Sequence, residues 1–114
     1  MSASTLTWQV ADHDGARIVT PNGRVDESTA TAFTERLIAE ASAARGKLVL
    51  DLSGIAYMSS RGLRALTLAQ REGTRAGSTI VLAKPNETMR EILAISRYDM
   101  IFKVADTIDE ALAG

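Results

Sequence analysis

Apolar and polar positions alternate at the start of the chain. Leu6, Trp8 and Val10 alternate with polar residues, which predicts a strand, and the following "DHDG" is typical of a tight turn. A β-branched run over Arg17–Thr20 predicts a second strand, ending before "PNG". The chain is therefore expected to begin with two strands around a turn.

Apolar residues at spacings of three and four predict helices further along. The first is expected over Ser28–Ala44, with Asp26 or Ser28 as its cap and Gly46 after its end. The second begins near Ser60 and ends within "EGTRAGS". The inner faces are assigned to Ala30, Phe33, Leu37, Ile38, Ala41 and Ala44 in the first helix, and to Leu63, Leu66, Leu68 and Ala69 in the second.

Two shorter helices are predicted near the C-terminus. "PNETMREILAIS" has Asn86 as its expected cap and turns Met89, Ile92 and Leu93 inward. In "TIDEALAG", Thr107 and Glu110 have the spacing of a capping box.

Near-continuous apolar runs at Lys47–Leu52 and Thr79–Ala83 predict strands covered on both faces, and "IFKVA" predicts a short final strand. Asp51 is expected to bond local backbone where its strand ends. Strands that alternate with helices indicate one α/β domain over residues 1–114. We expect a mixed, mainly parallel sheet with about four helices and an antiparallel N-terminal strand.

Composition narrows the class of protein. The 114 residues, 46% of them hydrophobic, suit one globular domain, and 13 Lys and Arg against 14 Asp and Glu argue against a general nucleic-acid binder. The absence of cysteine excludes disulfides, thiolate zinc sites and a Cys nucleophile. The N-terminus lacks the features of a signal peptide, and no apolar run approaches the roughly 18 residues of a membrane helix. A cytoplasmic protein without membrane contact is expected.

Catalytic chemistry is poorly supported. The only histidine, His13, lies in the "DHDG" turn, and one histidine with scattered carboxylates does not make a metal site. The adjacent serines Ser59 and Ser60 are not within a G-x-S-x-G elbow, and neither a Walker loop nor G-x-G-x-x-G is present. We expect no cofactor and no enzyme activity.

The sequence "SSR" at residues 59–61 allows two interpretations. A serine at a helix start can cap a free N–H group, which is worth about 0.5–2 kcal/mol. A phosphate on Ser60 would lie beside free N–H groups at the positive end of the helix dipole, and would act on a partner docked there. Arg61 opposes that dipole but is expected to help neutralise the phosphate, and Arg64 follows three residues later.

The stretches "VLDLSGIAYMSSRGLRAL" and "GRVDESTATAF" resemble the STAS domain of bacterial anti-sigma factor antagonists, over almost the full chain. The resemblance implies a non-enzymatic regulator that is often monomeric. In this family, the unphosphorylated antagonist binds a serine-kinase anti-sigma factor of the histidine-kinase-like ATPase group. That kinase phosphorylates the antagonist, and a PP2C-type phosphatase removes the phosphate.

The same resemblance assigns site residues. It makes Ser60 the phosphoacceptor, while Ser59 replaces the motif's aspartate and becomes a rival acceptor, and Arg61 replaces the motif's second hydroxyl residue. The implied partner-binding residues are Asp26, Met58, Ser59, Arg61, Gly62, Leu63 and Arg64. Two alternatives stay open: a STAS scaffold subunit of a transporter or stress-signalling complex without reversible phosphorylation, and a small serine hydrolase using Ser60.

Overall fold

The protein forms a six-stranded sheet. The computed structural model describes residues 6–113. Strands β1, β2, β3, β5 and β6 are neighbours in that order, and β4 pairs with β2 outside this path. Only the β1–β2 pairing is antiparallel among the described strands. In chain order the elements are β1 (Thr7–His13), β2 (Ala16–Val25), α1 (Ala30–Ala43), β3 (Gly46–Asp51), β4 (Ile55–Met58), α2 (Ser60–Ala76), β5 (Ser78–Ala83), α3 (Glu87–Ser96), a 3₁₀ turn (Tyr98–Met100), β6 (Lys103–Ala105) and α4 (Ile108–Ala113).

Helices cover both faces of this sheet. On β3, Leu48 and Leu50 belong to the larger core, which also contains Phe33 of α1 and Leu66 of α2. Val49, between those leucines, points to the other face, where a smaller cluster forms with α4. The apolar run at β3 is thus buried on both sides, as its sequence predicts. The predicted fold class is confirmed.

Strand β2 extends beyond its predicted end and has two parallel neighbours. Its residues Arg17–Val19 pair with β3, whereas Gly23–Val25 pair with β4 after a register shift. Pro21, expected to follow the strand, lies within it, between these two parallel registers. A proline has no N–H group to donate to a ladder, so the change of partner is a tolerant position for it. The prediction that the strand ends before "PNG" was wrong, and β4 was not predicted.

Two of the predicted helix caps are present. Asn86 accepts a hydrogen bond from the N–H of Met89 at 2.9 Å, and Thr107 accepts one from the N–H of Glu110 at 3.0 Å. Asp51 closes the turn after β3, accepting from the N–H and hydroxyl of Ser53 at 2.9 and 2.7 Å. Within residues 6–113, no helix combines the length and the apolar character that crossing a membrane requires.

Candidate functional site

The start of α2 lies against the end of β2, although the two are more than 30 residues apart in sequence. Val25 pairs with Met58, and the N–H of Ser59 donates to the carbonyl of Val25 at 2.8 Å. The parallel pairing of β2 and β4 therefore delivers the loop after Val25 and the "SSR" sequence to the same edge of the sheet. The structure thus places the backbone of Ser59 next to Val25, the residue that precedes Asp26.

The two serines occupy different positions in the helix start. Ser59 is the N-cap: its backbone is extended, and its hydroxyl oxygen accepts a long bond of 3.4 Å from the N–H of Gly62. Ser60 is the first residue of α2, and its side chain is exposed. Its hydroxyl makes no hydrogen bond to any residue in the described range 6–113. The capping role belongs to Ser59, which leaves the Ser60 hydroxyl available for other chemistry.

Asp26 is held in its own turn. Its carboxylate oxygen Oδ1 accepts from the hydroxyl of Ser28 at 2.8 Å and from the N–H of Ser28 at 3.0 Å. The hydrogen bond from the Ser28 hydroxyl is the main reason that the pKa of Asp26 is lowered, with the backbone of Ser28 and with Thr29 adding to it against desolvation. The site therefore keeps a carboxylate beside the start of α2.

Neither Asp26 nor Ser28 caps α1, so that prediction was wrong. Thr29 is the residue before the helix, and its side chain makes no cap bond. Its hydroxyl instead donates to the carbonyl of Arg24 at 2.7 Å and accepts from the N–H of Asp26 at 3.0 Å. The carboxylate of Asp26 and the hydroxyls of Ser28 and Thr29 bond to one another or to the backbone before the helix, so none of them caps α1.

Arg61 has an acidic partner that the sequence did not identify. Its Nη1 lies 3.1 Å from Oε1 of Glu27, with the side chains 52% and 83% exposed. A glutamate beside the first turn of α2 offsets the unfavourable cation at that position. Arg64, also exposed, has no hydrogen-bond or ion-pair partner in the described part of the chain. Both arginines border an open groove of about 350 Å³ between α1 and α2, also lined by Thr31, Thr34, Glu35 and Leu68.

Three residues of the predicted partner-binding set lie beneath the surface. Met58 is 2% exposed, Leu63 is 8% exposed, and Gly62 is buried between Met58 and Val25. A Cβ atom on Gly62 would lie 2.5 Å from Cγ of Met58 and 2.7 Å from Cγ1 of Val25. These residues set the position of the α2 start; they do not form its outer surface.

Two exposed neighbours were not in the predicted set. The guanidinium of Arg24 lies over the ring of Tyr57, 4.9 Å from the centroid, and its Nε is 3.8 Å from Oδ2 of Asp26. Tyr57 is 36% exposed although it precedes the buried Met58. Had β4 been recognised, alternation along it would have placed Tyr57 on the opposite side from Met58.

His13 lies far from Ser60. His13 pairs with Ala16, the first residue of β2. The N–H of Ser59 bonds to the carbonyl of Val25, the last residue of the same strand. Nine steps along a strand span about 30 Å, so His13 cannot act as a base for Ser60. Instead, His13 lies beside Asp14, at 3.4 Å. Among residues 6–113 there is also no group of three or more His, Cys, Asp or Glu side chains that could hold a metal ion.

The protein is an α/β domain whose sheet has one antiparallel edge strand. A helix start that carries two serines lies beside the end of β2. The STAS domain family profile matches residues 7–111. The chain belongs to the STAS domain family.

Several relatives are regulators of sigma factors by name. The anti-sigma-F factor antagonist RsfB of Mycobacterium tuberculosis is 30% identical over 115 residues, which cover 100% of this chain and 93% of RsfB. The crystal structure of an anti-sigma factor antagonist from Mycobacterium paratuberculosis is 29% identical, with a TM-score of 0.81 over 96% of this chain and 92% of the other.

A more distant structural neighbour exists in two chemical states. SpoIIAA, an anti-sigma factor antagonist and cell fate determinant of Bacillus, matches in its unphosphorylated form with a TM-score of 0.72 at 17% identity, over 93% of each chain. Its phosphorylated form matches with a TM-score of 0.65 at 18% identity, over 94% of this chain and 97% of the other. At this identity the likeness shows the shared fold.

Proposed function

We propose that this chain is an anti-sigma factor antagonist that works by binding, not by catalysis, and that phosphorylation of Ser60 switches its binding off. The unphosphorylated form binds a serine-kinase anti-sigma factor of the histidine-kinase-like ATPase group, and a PP2C-type phosphatase restores it. The 30% identity to RsfB, which is named an anti-sigma-F factor antagonist, supports this class of function. Because sigma factors act on RNA polymerase, the proposed interaction takes place in the cytoplasm.

The observation that carries the proposal is that the two serines have different structural roles. Ser59 caps α2, and the hydroxyl of Ser60 is exposed and unbonded within residues 6–113. A kinase can reach this oxygen without unfolding the helix start or removing its cap. Ser59, by contrast, is half-buried and engaged with Gly62, so its modification would displace the cap.

The proposed covalent step is a phosphoryl transfer from ATP. The Oγ of Ser60 forms a bond to the γ-phosphorus, while the bond from that phosphorus to the β–γ bridging oxygen breaks and ADP leaves. The hydroxyl proton passes to a base of the kinase. In the reverse branch, water attacks phosphoserine in the phosphatase, which returns the serine hydroxyl and inorganic phosphate.

A phosphate at this position affects the partner more than the fold. It adds a charge of about −1.5 to −2 at pH 7, beside the positive end of α2, where the domain tolerates an anion. The surrounding surface already carries the carboxylates of Asp26 and Glu27. A partner docked over the exposed Ser60 side chain has to accommodate and desolvate this dianion within the interface, so binding is weakened.

The test is phosphorylation by candidate serine-kinase anti-sigma factors from the source genome. The full chain, Ser59→Ala and Ser60→Ala are incubated with kinase and ATP, and the phosphate is located by mass spectrometry. We expect phosphate on Ser60 of the wild type and of Ser59→Ala, and none on Ser60→Ala. Phosphate on Ser59 alone contradicts the assignment. A kinase that binds the chain but leaves both serines unmodified contradicts the switch and favours a scaffold function.

A further inference from the structure

We propose that Arg64 binds the phosphate carried by Ser60, so that the modified helix start contains its own phosphate ligand. The proposal rests on Ser60 being the phosphoacceptor, as proposed above. It concerns how the domain holds the phosphate once it is there. Arg61, the arginine nearest in sequence, has a different role because Glu27 holds it.

Helix geometry places Arg64 beside Ser60. The two are four residues apart in α2, and side chains at this separation are neighbours, with Cβ atoms about 5–6 Å apart. Both side chains are exposed, on a part of the helix turned away from the buried Gly62 and Leu66. An acid placed four residues N-terminal to a base is also the more favourable order on a helix. The guanidinium of Arg64 can reach the phosphate oxygens without any change in the backbone.

Arg61 is less suitable for this role. Neighbouring residues in a helix point about 100° apart, so Arg61 is directed away from Ser60. Its guanidinium is already 3.1 Å from the carboxylate of Glu27. To bind the phosphate it would have to leave that ion pair, and the released Glu27 charge would then stand near the phosphate.

Arg64, unlike Arg61, forms no ion pair with a residue in the range 6–113. Within residues 6–113 no carboxylate lies within ion-pair distance of it, although Glu35 lines the same groove. The other charged side chains near the α2 start are engaged: Arg24 with Tyr57 and Asp26, and Arg61 with Glu27. Arg64 is therefore the cation that a phosphate on Ser60 can recruit without breaking an existing contact.

A direct consequence is a change in the ionisation of the phosphate. The second pKa of phosphoserine is about 6, and a nearby cation favours the dianion, which lowers that pKa. Asp26 and Glu27 act in the opposite direction, and Arg24 and Arg61 are partly neutralised by them. We expect Arg64 to lower the second pKa of the phosphate by about 0.4 pH unit, which corresponds to the free energy of one ion pair on a helix.

The experiment installs phosphoserine at position 60 by genetic encoding, so it does not depend on any kinase. The phosphate is titrated by ³¹P NMR in the full chain, in Arg64→Gln and in Arg61→Gln, which removes a cation from the same turn as a matched control. We expect Arg64→Gln to raise the phosphate pKa by about 0.4 pH unit and Arg61→Gln to raise it by less than half as much. Unfolding in urea verifies that all three proteins are folded under the titration conditions.

The opposite ranking would overturn the inference. If Arg61→Gln raises the phosphate pKa as much as Arg64→Gln or more, Arg61 is the ligand. If neither variant changes it, the phosphate is held by solvent and backbone alone. Because phosphoserine is placed without the kinase, these outcomes leave the kinase test of Ser60 unaffected, and a negative kinase test does not change the titration.

Discussion

The N–H of Ser59 donates a 2.8 Å hydrogen bond to the carbonyl of Val25. This bond continues the β2–β4 pairing by one residue and ends at the cap of α2. It fixes the distance between the acidic loop after Val25 and the serine pair. The candidate site is therefore a property of tertiary strand pairing.

Gly62 allows α2 to approach this strand end. Gly62→Ala is expected to lower the free energy of unfolding by about 1 kcal/mol. Alanine favours the helix by about 1 kcal/mol, but overpacking against Val25 and Met58 costs about 1–3 kcal/mol. Urea denaturation measures the difference, and Arg71→Ala, an exposed substitution in the same helix, should change stability by less than about 0.5 kcal/mol. A Gly62→Ala protein as stable as the wild type would show that the helix start is loosely packed.

The two serines should differ in their contributions to stability. Ser59→Ala removes the cap and is expected to cost about 0.5–1 kcal/mol, at the low end for caps because the bond to Gly62 is long. Ser60→Ala should stay within about 0.5 kcal/mol of the wild type, since its hydroxyl is unbonded among the described residues. Parallel urea titrations test the ranking. A larger loss from Ser60→Ala would mean that Ser60 is the cap.

Asp26 should make stability depend on pH in the acid range. Its pKa in the folded protein is lowered from 3.8, mainly by the Ser28 hydroxyl, so the folded state favours the carboxylate. The resulting stabilisation is complete above the unfolded pKa and is lost as the pH falls through the folded pKa. We therefore expect the stability difference between wild type and Asp26→Asn to be constant above about pH 5 and to shrink below about pH 4.

A second variant separates this cause from general acid effects. Ser28→Ala removes the main hydrogen bond to Asp26, so the pKa of Asp26, measured by NMR, should rise towards its ordinary value. An unchanged pKa in Ser28→Ala would contradict the assigned cause.

Most of the fold could be predicted because its elements are marked locally. The apolar run around Leu48–Leu50 predicts a strand buried on both faces, and Asn86 indicates the start of α3. The exceptions need information from distant residues. β4 is four residues long, and β2 continues through Pro21 because β4 gives it a second partner. Neither feature has a local signature strong enough to show it.

The start of α2 was predicted from the sequence, but the contacts of its residues were not. The sequence places Ser59, Ser60 and Arg61 at a helix start, yet it does not say which serine is the cap. That choice depends on the bond between Ser59 and Val25, which fixes where the helix begins. The pairing of Arg61 with Glu27 joins residues 34 positions apart, so its role depends on the tertiary structure.

The central claim is tested most directly by the affinity of the serine-kinase anti-sigma factor for three forms of this chain. Calorimetric titration compares the wild type, Ser60→Ala and Ser60→Asp, with urea denaturation to verify that each is folded. Since α2 accepts an anion at its start, Ser60→Asp should fold normally, yet bind the kinase at least about tenfold more weakly than the wild type. Ser60→Ala should bind as the wild type does. Equal affinity of a folded Ser60→Asp protein and the wild type would contradict a switch at Ser60.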